Sequence, residues 1–428
     1  MKSVFTILIS LLLGSSIAVA AEQALIEPLP GLVETALANN PELKSSQARW
    51  QMYVAKARQS SSFEDPMLMF KLQNLLVREP FSLGGKDPNT AKVVGISQQL
   101  PFWGKRSLRE EVASHEAEAY RFSIEERKLE LARMVKETYY KLYAVDNSLA
   151  IVAKNLRIMQ DFTTVAESRY AVGQGAQTDI LKAGLERSKL LDMQISLHQQ
   201  RRGLEAGLNY LLSRPTDTPV GQVADFELPR LGLSAAQLKE RAEQQRPQLR
   251  VLNSQISKSK AAHQLARKEL WPDFNLSVEY MFRQPAMTDP GYDMFTVGLT
   301  FNLPLQRERR AAMIAESNSE TAMSTEEIHS LKNNIDYTIN DSLSQLERRQ
   351  RLVELYKGGI IPQAEQTLES SLINYRVGKV DFLSVLDSRV NLFNYERELY
   401  ESKAEYMMQL ARLEAAVGAD LAVATQIK

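Results

Sequence analysis

The chain has 428 residues, 24% of them charged, and a formal net charge of zero. That balance gives no electrostatic case for nucleic-acid binding. With no cysteine, disulfides, thiolate metal sites and cysteine nucleophiles are excluded, and the length admits two ordinary domains or one extended structure.

Lys2, the apolar run Val4–Leu13 and the small-residue stretch ending Ala18-Val19-Ala20 have the layout of a secretory signal peptide over 1–20, cut before Ala21. The run is too short for a transmembrane helix, and no later run of about 18 apolar residues occurs. No cysteine stands at the cut to carry a lipid. The mature chain is therefore expected to be exported and to meet a membrane only through a structure other than a helix. A helical pattern runs from Leu32 to about Ser61, interrupted at Asn39-Asn40-Pro41, where Pro41 suits a first helical turn. After Asp65-Pro66 the period changes. Leu68, Phe70 and Leu72 alternate with Met67, Met69 and Lys71, a polar loop follows over Arg78–Thr90, and Val93–Pro101 reads as a second, antiparallel strand.

From Lys105 to about Val172 the pattern is helical and free of proline. A helix of roughly 65 residues is about 100 Å long and needs a coiled or tubular partner. It ends at Tyr170-Ala171-Val172-Gly173, and Thr178–Leu212 returns with Leu190, Leu197, Leu204 and Leu211 at steps of seven. Pro215, Pro219, Gly221 and Pro229 mark a linker. The order then recurs: a helix over Leu238–Leu270, strands over Phe274–Phe282 and Phe295–Leu303, one very long helix over Arg307–Arg376, and Phe382–Val417 with Val385, Leu392, Leu399, Tyr406 and Leu413 at steps of seven. Tyr170, Val172, Gly173 and Leu181 match Tyr375, Val377, Gly378 and Leu386 at one offset of 205 residues, and Pro41, Pro66 and Pro101 match Pro247, Pro272 and Pro304. A duplicated unit is expected, with repeats over 21–215 and 234–418, a linker over 216–233 and a tail over 419–428. A glycine ending one helix and a polar residue opening the next join antiparallel helices at each turn.

The four strands are apolar on one parity and polar on the other, and their length suits outer-membrane barrel strands as well as an amphipathic sheet on a globular core. No other strand material exists to cover them, which favours the barrel. Four strands cannot close, and open edges are not tolerated in lipid, so several chains must combine. Three would supply 12 strands, with Leu68, Phe70, Phe274, Leu276, Val297 and Leu299 facing outward.

These features resemble the outer-membrane efflux protein family, the TolC-like exit ducts. The resemblance rests on the duplicated halves, the two strand pairs, the long helices and the turn Y-x-V-G-x(5)-[DS]-[IV]-L, present at Tyr170–Leu181 and Tyr375–Leu386. Ser97–Lys105, SQQLPFWGK, and Asp65-Pro66-Met67-Leu68 resemble the strand-to-helix swivels of the branch serving heavy-metal pumps. The resemblance implies a mostly helical fold with a small β part. It implies a homotrimer with a 12-stranded barrel in outer-membrane lipid and a helical tunnel across the periplasm. The tunnel would dock a periplasmic adaptor and an inner-membrane pump of the RND type. It makes Pro66, Pro101, Pro272 and Pro304 swivel residues, and Tyr170, Val172, Gly173, Tyr375, Val377 and Gly378 the tips that meet the adaptor. Relatives narrow the tunnel with carboxylates just inside the tips. Asp179 and Asp387 match those positions, Ser384 stands where some relatives carry an acid, and Asp381 lies near enough to compensate. For Asp179 and Asp387 the alternative is a helix-start carboxylate favoured by the dipole.

No catalytic or nucleotide motif occurs, and no cofactor is expected. His115, His198, His263 and His329 are scattered along helices, which suits structural or surface roles. Met67, Met69 and Met281 share the inward parity, where thioethers suit Cu(I) but more often fill space. A passive efflux duct is the leading expectation, with cargo that includes heavy-metal cations. The alternatives are the outer-membrane part of a type I secretion system, a soluble periplasmic adaptor and a diffusion porin.

Overall fold

The computed structural model describes residues 28–78 and 87–421. The expected signal peptide, most of the first strand loop and the end of the expected tail lie outside the described residues. The elements are α1 (Leu29–Asn39), α2 (Pro41–Ser60), β1 (Met67–Gln73), β2 (Ala91–Leu100), α3 (Lys105–Ala171) and α4 (Gln177–Leu211). After the linker come α5 (Ala235–Gln245), α6 (Pro247–Lys268), β3 (Phe274–Arg283), β4 (Met294–Phe301), α7 (Arg307–Leu355), α8 (Ile361–Arg376) and α9 (Phe382–Val417). Helix pair, strand pair, long helix, turn and returning helix therefore occur twice in the same order.

The first break is where the sequence puts it. Asn40 accepts a hydrogen bond from the Leu43 amide at 3.1 Å, and Pro41 opens α2, where its missing N–H costs nothing. The helical stretch expected over Leu238–Leu270 breaks at the proline that matches Pro41. Arg246 is extended before Pro247, so the segment divides into α5 and α6. A capping box of Ser234 and Gln237 also starts α5 earlier than its apolar pattern does.

Helix α3 has 67 residues, all in α-helical conformation, and is about 100 Å long. Its expected counterpart over Arg307–Arg376 is not one α-helix. A π-turn, Tyr356–Ile360, separates α7 from α8. Pro362 lacks an amide proton, and its ring crowds the carbonyl four residues back. Gly358 and Gly359 lie inside the widened turn that absorbs the conflict.

Helix α9 is the shared wall of the helical part. Ala404 and Met408 pack with α1, α3 and the linker, whereas Phe382, Leu386 and Phe393 pack with the tip-proximal parts of α3 and α4. Tyr406, Leu410, Leu413 and Val417 pack with α5 and α7, and Val385 and Leu392 pack with Leu368 of α8. Its steps of seven are this multi-sided burial: Val385, Leu392, Tyr406 and Leu413 are buried and Leu399 is half-buried. The linker is tied down too. Tyr143 donates to Asp225 at 2.5 Å, Lys403 pairs with the same carboxylate, and Tyr406 donates to the Pro229 carbonyl at 2.5 Å.

The strands form one antiparallel 4-stranded sheet in the order β1-β2-β3-β4. Its register pairs Leu68 with Ile96, Phe70 with Val94, Val278 with Ile96, and Val297 with Val278. Residues opposite each other share a face, so the two strand pairs turn their apolar parities the same way. The other face carries Met67, Met69, Ser97, Gln99, Asn275, Ser277, Glu279, Thr296 and Thr300. Both β1 and β4 are edges.

Candidate functional site

Four features position function: the two helix tips, the turns beside them, the sheet-to-helix junctions and the apolar sheet face. Both tips end their long helix in the same way. Gly173 donates to the Tyr170 carbonyl at 3.0 Å and Gln174 to that of Arg169 at 2.8 Å. Gly378 donates to Tyr375 at 3.0 Å and Lys379 to Asn374 at 2.9 Å. These are Schellman caps, which place the residue after the cap in the left-handed region. Gly173 has φ +73° and Gly378 φ +72°. A Cβ at either position would meet nothing within 4 Å, so the turn needs glycine for its backbone angle and not for space.

The side chains around these caps differ. Tyr170, Val172 and Leu181 are exposed at the first tip, as are Val377 and Ile373 at the second. Tyr375 turns inward, with its ring centre 5.7 Å from that of Phe382. Arg169 of the first tip donates to the Tyr375 carbonyl at 3.0 Å and lies 4.4 Å over its ring, which ties one tip to the other.

Among the expected constriction residues, Asp381 and Ser384 form a helix cap. The Asp381 carboxylate accepts from the Ser384 amide at 2.9 Å and its hydroxyl at 2.5 Å, opening α9. Those hydrogen bonds, the hydroxyl's first, hold its pKa below the ordinary aspartate range. Asp381 therefore caps α9 with a carboxylate that keeps its charge. Asp179 sits in the first turn of α4, half-buried, and Asp387 lies further into α9, exposed. Neither carboxylate has a hydrogen bond or ion pair among the described residues.

At the junctions, Pro66, Pro101, Pro272 and Pro304 all fall between helix and strand. Sequence reasoning missed the residue that ties the Pro101 and Pro272 junctions together, Lys105, which is wholly buried. Its Nζ lies 3.1 Å from Glu269 and 2.9 Å from Asp273, and it donates to the Trp271 carbonyl at 2.9 Å. Asp273 also accepts the Phe102 amide at 2.8 Å, and Phe102 stacks on Trp271 at 5.1 Å. The signal was available as a lysine directly after Phe-Trp-Gly and a Glu-x-x-x-Asp bracketing Trp-Pro, but its partners lie more than 160 residues apart. Arg310, at the same 205-residue offset from Lys105, reaches the same hinge from α7 and donates to the Glu269 carbonyl at 2.6 Å.

The apolar sheet face leaves Leu68, Phe70, Ile96, Leu276, Val297 and Leu299 exposed. On the opposite face, Met69 lies against Gly95, which is a packing role for that methionine. No described helix is long and apolar enough to cross a membrane. No group of three or more His, Cys, Asp or Glu among the described residues forms a metal cluster.

Comparison with known proteins agrees with this geometry. The outer membrane efflux protein family matches residues 32–212 and 238–419. The pyoverdine export outer membrane protein OpmQ of Pseudomonas putida is 26% identical, over 91% of this chain and 84% of its own. The cobalt-zinc-cadmium resistance protein CzcC of Cupriavidus metallidurans is 22% identical, over 68% of each. Among solved structures, the outer membrane protein VceC of Vibrio cholerae superposes with a TM-score of 0.76 at 17% identity, covering 92% of this chain and 96% of that one. The last likeness concerns the fold. The family match spans both halves and leaves no place for the soluble adaptor or the diffusion porin. The chain belongs to the outer membrane efflux protein family and is an exit duct of the outer membrane, reaching into the periplasm.

Proposed function

We propose that three copies close into one passive duct. The observation that carries this is the sheet: 4 strands, apolar on one face, with both edges unpaired. Lipid offers no partner to edge amides and carbonyls, so the edges must pair with other copies. Three such sheets supply 12 strands, an even number within the range of outer-membrane barrels. The long helices then line a periplasmic tunnel. The tips at Gly173 and Gly378 dock the hairpins of a periplasmic adaptor, and an inner-membrane pump of the RND type supplies the energy. In mild detergent the mature protein should run as a trimer by light scattering. A monodisperse monomer with intact strand content contradicts the assembly.

In that assembly Asp179 and Asp387 each recur three times about the axis and form acidic rings near the tips. Like charges at that spacing repel unless cations or hydrogen bonds compensate, and such rings favour cations in channels. Single-channel recording tests this directly: the double variant Asp179→Ala, Asp387→Ala should lose cation selectivity, and unchanged selectivity leaves both as helix-start residues. Heavy-metal cations are the cargo class favoured by the Ser97–Lys105 segment and by the metal-resistance relative. The pyoverdine-exporting relative supplies the competing class. Cells lacking their own duct, given this chain with an RND metal pump, should accumulate less cobalt, zinc or cadmium. Unchanged accumulation with a correctly inserted trimer argues against metal cargo.

A further inference from the structure

A groove of about 590 Å³ lies at the sheet-to-helix junction, lined by Phe63, Leu100, Phe102, Trp103, Phe274 and Leu299, with Arg106 in its wall. We infer that it binds one anionic glycerophospholipid of the periplasmic leaflet, with an acyl chain against the aromatic wall and the phosphate on Arg106. The inference rests on the barrel orientation proposed above.

Two observations point to a ligand of that chemistry. The first is continuity. Leu100, Phe274 and Leu299 stand on the same sheet face as Ile96, Leu276 and Val297, so the groove opens onto the surface proposed to meet acyl chains. Trp103 is 75% exposed at its mouth and lies 5.9 Å edge-on from Phe274. An exposed tryptophan where an apolar face ends is the usual residue of a membrane–water boundary. The second is the charge. Lys105 and Arg109 are occupied by Glu269 and Asp273, and Lys268 lies over the Phe102 ring at 5.6 Å. Arg106 lies 3.6 Å over the Phe63 ring, yet its Nε is buried without a hydrogen-bond partner. It has no ion pair among the described residues, although Glu64 and Asp65 directly follow Phe63 and Glu110 lies one helical turn further along α3. A guanidinium seated over an aromatic ring, with no hydrogen bond of its own among the described residues, is preorganised for a phosphate.

The groove lies where strands give way to helices. In a duct whose helices cross the periplasm this is the periplasmic side, where the leaflet is glycerophospholipid and lipid A is absent. The other possible occupant is a neighbouring copy, whose β1 or β4 edge would cover Phe63 or Leu299.

The test uses the full mature trimer in phosphatidylcholine vesicles containing brominated phosphatidylglycerol or brominated phosphatidylethanolamine. Tryptophan quenching is read against the Trp103→Phe variant to isolate the Trp103 component. Phosphatidylglycerol should associate about five-fold more strongly, the weight of one basic side chain at an anionic surface. Arg106→Gln should bring the ratio to about one while Trp103 remains quenched, and Arg109→Gln should leave the preference in place. Equal quenching by both lipids overturns the site, as does equal loss of preference in the Arg109→Gln variant or displacement by lipid A. An inserted trimer with Trp103 unquenched assigns the groove to the neighbouring copy and also overturns it. Insertion is followed separately by protease protection of the strands, and its failure in the unmutated protein contradicts the barrel itself.

Discussion

The α3–α4 tip exposes Tyr170, Val172 and Leu181 and opens α4 from Ala176 with no side-chain cap. The α8–α9 tip instead turns Tyr375 inward, seats Arg169 on it and opens α9 with the Asp381 cap. The same contrast runs up the molecule. Helix α3 is unbroken, whereas its counterpart carries a π-turn before Pro362. At the junctions, Lys105 is buried between two carboxylates, whereas Arg310 donates only to carbonyls, those of Glu269 and Gln306. Duplication has kept the backbone instructions, which are glycine in the left-handed region and proline at the junctions. It has let the side chains diverge, so that one half is pinned where the other is open.

The largest expected effect is at the junctions. Lys105→Met leaves Glu269 and Asp273 facing each other with their main counter-charge gone. That should cost about 3–5 kcal/mol of stability, as breaking a buried ion pair does. Arg310→Met removes charge-assisted bonds at a partly exposed site and should cost about 1–2 kcal/mol. Thermal unfolding of the detergent-solubilised protein measures both, and equal losses would erase the difference between the halves. Next comes the sheet. Val297→Arg puts a cation on the face proposed to meet lipid and should cost about 2–4 kcal/mol near mid-bilayer. Thr296→Arg, its neighbour on the same strand, faces Glu279 across the pair and should insert normally. Equal damage from both contradicts the assigned faces.

Much of this was legible because backbone rules are local. Proline and glycine positions, period-two strands and steps of seven each declare themselves within a dozen residues. They located α3, α4, α9, all four strands and both tips to within a few residues. The π-turn escaped because the apolar period runs through Gly358, Gly359 and Pro362 almost undisturbed, so only the backbone conflict reveals the break. The start of α5 escaped because its signal is the Ser234–Gln237 cap, which lies before the apolar pattern begins. Lys105 escaped because its partners come from the other repeat. Asp381 was legible as an acid near a tip, but its commitment to Ser384 depends on the helix starting one residue later.

The smaller effects lie at the tips. Gly173→Ala and Gly378→Ala should each cost about 1–2 kcal/mol locally, the penalty for a Cβ in the left-handed region, and the two losses should match because the caps match. Tyr170→Ala should leave thermal stability unchanged and weaken adaptor binding. Tyr375→Ala should destabilise the coil and loosen Arg169. The reverse order would make the second tip the exposed one. Smallest of all is the cap: Asp381→Ala should speed hydrogen exchange of the amides at 382–385 and leave 177–180 unchanged. The depressed pKa of Asp381 means this contribution is intact at neutral pH. It is lost as pH falls from the ordinary aspartate value through the lower folded one. Exchange at 382–385 that ignores acidification contradicts the capping role.

The central claim is that the edges β1 and β4 pair between copies. Within one chain they are separated by two intervening strands, about 14 Å at the usual strand spacing, too far for a disulfide. The chain has no cysteine of its own, so the Phe70→Cys, Val297→Cys double variant can be read cleanly with a short bismaleimide whose reach is limited to adjacent strands. Cross-linking membranes of cells expressing it should yield covalent dimers and trimers, and neither single variant should. Monomers alone from the double variant, with strand content intact and both thiols reactive, would contradict the closed three-chain barrel.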